Sequence, residues 1–172
     1  MTTTPMPNRR AADRPLYLWG GIVAAAIVFA GFARTFYLKG LFPAPALSGL
    51  LVLHGTIMSL WLALLIVQVR LIGTGRIGLH RRLGVFGAVV FALVLGVGFA
   101  TAIAGARRGA SPAPEVPPLA FMAIPMVDLV VFALLVGAAL WNRRKPATHK
   151  RLMLLGTLSI LSSVSLAASL MS

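Results

Sequence analysis

Five long apolar stretches alternate with short polar ones along this chain. The apolar runs cover residues 16–38, 47–72, 83–106, 119–141 and 152–171. Each has about 20 residues or more, the length an α-helix needs to cross a hydrocarbon core of roughly 30 Å. The breaks between them are rich in helix-stopping or charged residues. Residues 39–46 hold two prolines, residues 73–78 are a glycine-rich turn, residues 107–118 hold four prolines, and residues 142–149 are basic. The pattern predicts an all-α integral membrane protein with five transmembrane helices. Residues 1–15 form a polar, basic tail that is expected to be disordered, and residues 16–172 form a single domain. The first run is long and closes on Arg34, Thr35, Phe36 and Tyr37, so it reads as a retained anchor rather than a cleaved signal peptide. Pro125 inside the fourth run predicts a kink or a break.

The second run carries polar residues in a regular way. His54, Trp61 and Gln68 are spaced by seven, and Met58 is one turn from His54. On a helix all four share one stripe. A helix surrounded by lipid gains nothing from lining up its polar side chains, so the stripe is expected to face protein.

Composition and charge sharpen this reading. Of the 172 residues, 59% are hydrophobic and 11% charged, where a soluble domain carries about 25% charged residues. The net charge of +13 does not imply nucleic acid, because the basic residues cluster between apolar runs, as they do at membrane boundaries. One side collects Arg9, Arg10, Arg14, Arg70, Arg76, Arg81, Arg82, Arg143, Arg144, Lys145, Lys150 and Arg151; the other collects Arg34, Lys39, Arg107 and Arg108. By the positive-inside rule the N-terminus is cytoplasmic and the C-terminus outside, with anionic lipid as the partner of the basic face. The absence of cysteine excludes disulfides, thiolate nucleophiles and cysteine-ligated metals.

An internal repeat is visible at an offset of 69. Arg76, His80, Arg81, Arg82 and Leu83 match Lys145, His149, Lys150, Arg151 and Leu152, and Gly87 matches Gly156. Four of the helices are therefore expected to form a bundle of two repeated helical hairpins, with the first helix outside the symmetry. The two histidines have a structural reading, capping or bonding a carbonyl at a helix start. They also have a functional one, in which the symmetry brings His80 and His149 together to share a metal, a haem edge or a quinone head group.

A second cluster is expected toward the other surface. His54 and Asp128 fall at similar depths, and Arg34 and Tyr37 close the first helix there. A carboxylate inside a membrane is costly unless paired, so a buried constellation of His54, Asp128 and Arg34 is expected, with Tyr37 at its mouth. It reads as a structural clamp between helices, as a cofactor, quinone or small-substrate site, or as a copper(I) site of His54, Met58 and one or more of Met122, Met126 and Asp128. A bis-histidine haem b would need two histidines at one depth. From His54 to His80 the chain runs 26 residues, up to about 39 Å of helix, which leaves His80 with His149, or His54 with a methionine.

Together, the residues Arg34 to Tyr37, the His54-Gly55 pair, Trp61, Gln68, the His80-Arg81-Arg82-Leu83-Gly84 motif, Asp128 and the His149-Lys150-Arg151-Leu152-Met153 motif give the chain its signature. It resembles a widespread, largely uncharacterised group of small bacterial inner-membrane proteins. A looser similarity links its histidine spacing to membrane proteins of haem–copper oxidase assembly. The resemblance implies a multi-pass protein of the bacterial inner membrane. Nothing resembles a nucleophilic triad, a phosphate-binding loop or a carboxylate pair. The leading expectation is a non-enzymatic accessory or assembly component of a larger membrane complex, such as a respiratory one. A haem- or quinone-binding redox protein is the alternative, and a small proton-coupled transporter the third.

Overall fold

The computed structural model describes the backbone of residues 9–42, 46–111 and 114–160, and side chains from Trp19 onward. The described residues are helical throughout their ordered elements, with no strand. Helix α1 spans Arg9–Phe32 and runs on through a π-helical stretch at Ala33–Tyr37 and a short 3-10 turn at Lys39–Leu41. Then follow α2 (Gly49–Gly73), α3 (Ile77–Arg107), α4 (Pro118–Trp141) and α5 (Pro146–Ser159). Four segments are long and apolar enough to cross a membrane: Trp19–Tyr37, α2, α3 and α4. Large apolar side chains such as Val85, Leu119 and Leu134 point outward and are about 70% exposed, as lipid-facing residues of a membrane protein should be.

Helix ends follow local chemistry more than hydropathy. Ser48 caps α2 through its hydroxyl, which accepts from the Leu51 amide. Prolines open α4 and α5, where their missing N–H costs nothing. The turn from α2 to α3 is made by Gly75 at φ 75°, a conformation that glycine adopts without strain. Helix α1 starts at Arg9, within the tail expected to be disordered, because Arg and Ala are strong helix formers in any solvent. Helices α3 and α5 also begin before their apolar runs, so His80 and His149 lie in first turns. Helix α4 runs unbroken through Pro125. The expected end of the fifth helix at residue 171 lies outside the described residues.

Helices α2 to α5 pack in sequence order, and α1 lies against both α2 and α5. The four helices α2 to α5 meet at an aromatic centre. Trp61 is 3% exposed and Phe132 is fully buried. Their rings meet edge to face at 5.2 Å, and Phe91 closes the group at 5.4 Å from Phe132 and 6.4 Å from Trp61. The indole Nε1–H donates to Thr157 Oγ1 at 3.2 Å, and the Thr157 hydroxyl donates to the Met153 carbonyl at 3.0 Å. The indole N–H and the threonine hydroxyl of this centre are therefore both used.

Close helix contacts depend on small residues. A Cβ at Gly98 would meet Leu129 Cδ2 at 2.8 Å, and one at Gly156 would meet Val136 Cγ2 at 2.9 Å. These glycines let α3 approach α4 and α4 approach α5.

Candidate functional site: two polar layers around a closed centre

The stripe on α2 faces protein as its spacing implies. Trp61 is buried, Met58 packs on the core, and the Gln68 side-chain oxygen is buried. His54 is half-buried at one end of the stripe. Seven residues separate His54 and Gln68 from Trp61 in opposite directions, or about 10 Å each at 1.5 Å per residue. The bundle thus has a polar layer on either side of its aromatic centre. One lies toward the turns that join α2 to α3 and α4 to α5, the basic end. The other lies toward the opposite end.

At the opposite end, Asp128 stands one turn before Phe132 on α4 and is half-buried like His54. It does engage in an interaction of its own. Thr101 on α3 bonds back to the Val97 carbonyl at 2.7 Å. Arg34 departs from the buried triad expected of it. It is exposed, and its guanidinium carbon lies 5.3 Å from the Phe42 ring centroid, a cation–π contact near the surface. The physical reason is cheap hydration: a long basic side chain near a helix end reaches water more readily than it buries its charge.

Tyr37 is tied down rather than open. Its hydroxyl lies 2.6 Å from Ser59 Oγ, and Ser59 donates to the Gly55 carbonyl at 2.7 Å, so Tyr37 is the donor of the pair. Its ring stacks on Phe29 at 5.1 Å and receives the edge of Phe36 at 5.1 Å. Phe36 in turn covers Gly55, where a Cβ would meet its ring at 2.6 Å. The π-helical stretch makes both contacts by widening the helix where these two rings turn toward α2. The glycine of the His54-Gly55 pair therefore has a packing role. Between α1 and α2 a shallow groove of about 270 Å³ is lined by Phe29, Tyr37, Ser59, Leu62 and Ile66 among others.

At the basic end four helices contribute polar groups. His149 Nδ1 lies 2.8 Å from the Ala139 carbonyl. A carbonyl only accepts, so Nδ1 carries the hydrogen. His80 lies at the same end, in the first turn of α3. The two imidazoles thus sit at the same end, and of their Nδ1 atoms only that of His149 has a hydrogen-bond partner. His80 Nδ1 is buried without a partner, and so is Gln68 Oε1 on α2. The Gln68 amide nitrogen lies 3.7 Å from where a Cβ of Gly84 would be, one turn along α3 from His80. On the outer side of this end, Val67, Arg70, Leu71, Thr74 and Arg76 line a groove of about 300 Å³.

Of the six residues expected to form sites, the structure places His54, Asp128, Arg34 and Tyr37 beyond the aromatic centre and His80 and His149 at the basic end. Thr157 was not foreseen. The signal for it was indirect: a buried tryptophan needs an acceptor for its N–H, and Thr157 lies two turns beyond His149 on the same helix. Among the described residues no group of three or more His, Cys, Asp or Glu side chains gathers to hold a metal. Compared with family models, curated proteins and solved structures, the chain matches none.

Proposed function

We propose that this chain is a five-span protein of the bacterial inner membrane that acts through its outer surface, as a non-enzymatic accessory or assembly component of a larger complex. The observation that carries this reading is the closed centre. Trp61, Phe91, Phe132 and Thr157 fill the middle of the bundle with satisfied hydrogen bonds. The polar layers on either side are thereby separated, and a substrate or proton path along the bundle axis has no polar steps through it. Two hairpins of one kind fit this picture, since α3 and α5 start at Ile77 and Pro146, 146 − 77 = 69 residues apart. The charge asymmetry supports a cytoplasmic N-terminus with the basic end on anionic lipid, and an external C-terminus.

The test is purification at native expression levels in a mild detergent. One membrane protein co-purifying in fixed ratio is expected. A free monomer under these conditions rejects the reading. A second reading, head-group binding by a quinone or haem b at the far layer, draws on one observation: His54 is half-buried on the same stripe as the buried Trp61, with Asp128 on a helix that touches it. A reduced spectrum without a Soret band, together with no extractable quinone, removes it.

A further inference from the structure

One row of side chains on α2 has a groove at each end. Ser59, Ala63, Val67 and Leu71 follow one another at intervals of four, so they line up along one side of the helix. At the basic end, Val67 and Leu71 line the groove of about 300 Å³ together with Arg70, Thr74 and Arg76. Further along, Ser59 and Ala63 line the groove of about 270 Å³ with Phe29 and Tyr37. Ala63 and Val67 are both exposed and stand about 6 Å apart at 1.5 Å per residue, so the two grooves lie end to end on α2. Their chemistry differs. Among the described residues neither the Arg70 nor the Arg76 side chain has a hydrogen-bond or ion-pair partner. The Thr74 hydroxyl is spent on the Arg70 and Leu71 carbonyls at 3.0 and 3.2 Å, which leaves the two guanidiniums as the donors of the basic groove. In the other groove the hydroxyls of Tyr37 and Ser59 are spent on each other and on the Gly55 carbonyl, which leaves apolar surface.

We propose that this side of α2 holds one anionic phospholipid, its phosphate on Arg70 and Arg76 and an acyl chain laid along Val67 and Ala63 into the groove beside Phe29 and Tyr37. A guanidinium presents a planar fork of N–H donors that matches two phosphate oxygens. A zwitterionic head group would bring its ammonium against the same arginines, so an anionic one is preferred. The basic groove is at the lower end of the ~300–1,000 Å³ of small-molecule clefts. It admits a head group, and the chains of the lipid must lie outside it on apolar surface. From Val67 to Ser59 the row runs 67 − 59 = 8 residues, about 12 Å, most of one leaflet's half of a ~30 Å hydrocarbon core. The other hairpin lacks this arrangement. The positions 69 residues on from Val67 and Arg70 are Val136 and Ala139, both closed inside the bundle. Its basic turn attracts lipid by charge, but these positions offer no groove to hold it, so one lipid per chain is expected. The site rests on the proposed placement of the basic end at an anionic membrane surface.

The test uses the full chain, delipidated in an uncharged detergent and titrated with dioleoylphosphatidylglycerol, dioleoylphosphatidylcholine or glycerol phosphate, with bound molecules counted by native mass spectrometry. One phosphatidylglycerol per chain is expected, held at least tenfold more tightly than either of the other two. Arg70→Gln/Arg76→Gln should weaken it at least tenfold. Arg143→Gln/Arg144→Gln removes the same charge from the other turn and should change it less than twofold. Ala63→Trp obstructs the row without altering charge and should weaken it severalfold. All five positions are exposed, so the variants are expected to fold, which circular dichroism checks. Equal losses in the two arginine pairs, or phosphatidylcholine held as tightly as phosphatidylglycerol, overturn the proposal in favour of diffuse attraction to the basic end. Glycerol phosphate bound as tightly as the lipid, or Ala63→Trp binding like the parent, overturns the acyl-chain path and with it the lipid as occupant. Detergent takes partner proteins and membrane sidedness out of the measurement, so this site and the accessory role fail separately.

Discussion

Replacing Thr157 by Val should destabilise the bundle although it changes almost no volume. The substitution leaves the indole N–H of Trp61 without the acceptor it meets at 3.2 Å, in a centre where Trp61 is 3% exposed and Thr157 fully buried. An orphaned buried donor costs about 1–3 kcal/mol. Measured side-chain hydrogen bonds inside membrane proteins are weaker, averaging about 0.6 and reaching about 1.7 kcal/mol, because the unfolded chain in lipid also finds partners. The expected cost of Thr157→Val is therefore about 1 kcal/mol, less than tenfold in the unfolding constant. Trp61→Phe costs more, since it also leaves space against Phe91 and Phe132, but it orphans no donor: Thr157 still donates to the Met153 carbonyl. The double variant should then be more stable than the sum of the two single losses, by about 0.6–1.7 kcal/mol. The assay is reversible unfolding in mixed micelles with increasing dodecyl sulfate, followed by far-ultraviolet circular dichroism so that loss of the tryptophan does not matter. Strict additivity, with Thr157→Val within about 0.3 kcal/mol of the parent, would refute the satisfied centre and with it the separation of the two polar layers.

Three further outcomes are expected. Gly55→Ala places a methyl 2.6 Å from the Phe36 ring, so it should cost about 1–3 kcal/mol as an overpacked contact and raise hydrogen exchange at Ala33–Tyr37; an unchanged exchange pattern would show that the ring simply moves aside. Tyr37→Phe removes a donor to Ser59, yet Ser59 keeps its own bond to the Gly55 carbonyl, so a loss of no more than about 1 kcal/mol is expected in the same micelle titration, and a loss above 2 would mean that the hydroxyl holds something more. His149→Phe deletes the tie between the start of α5 and the Ala139 carbonyl, and backbone exchange in the first turn of α5 should rise while that of α3 stays as it was.

The membrane class and the direction of the α2 stripe could be read from the chain because they depend on periodicity alone. His54, Met58, Trp61 and Gln68 face inward for the reason their spacing gave. Helix starts could not be read from hydropathy, which reports where lipid begins and not where i to i−4 bonding begins; Arg9, Ile77 and Pro146 all precede their apolar runs. Arg34 was expected in a buried triad because a carboxylate needs a partner. Its place at the surface depends on the π-helical stretch, which alters the facing of residues 33–37 and has no clear sequence mark. That His80 and His149 lie in first turns at the same end could be read from the chain, whereas their different hydrogen bonding could not.

The bond from Trp61 to Thr157 joins residues 96 positions apart, while most helix contacts other than that of α1 with α5 join neighbours in the chain. As the helices enter the bilayer in order, α2, α3 and α4 can pair as each arrives, but the indole of Trp61 has no acceptor until α5 follows. Helix α1 likewise has only α2 to lie against until α5 is in place. Assembly therefore has a late locking step, set by the arrival of a single threonine. A chain halted before α5 would hold most of its helix pairs and still leave the Trp61 N–H at its centre without the Thr157 acceptor.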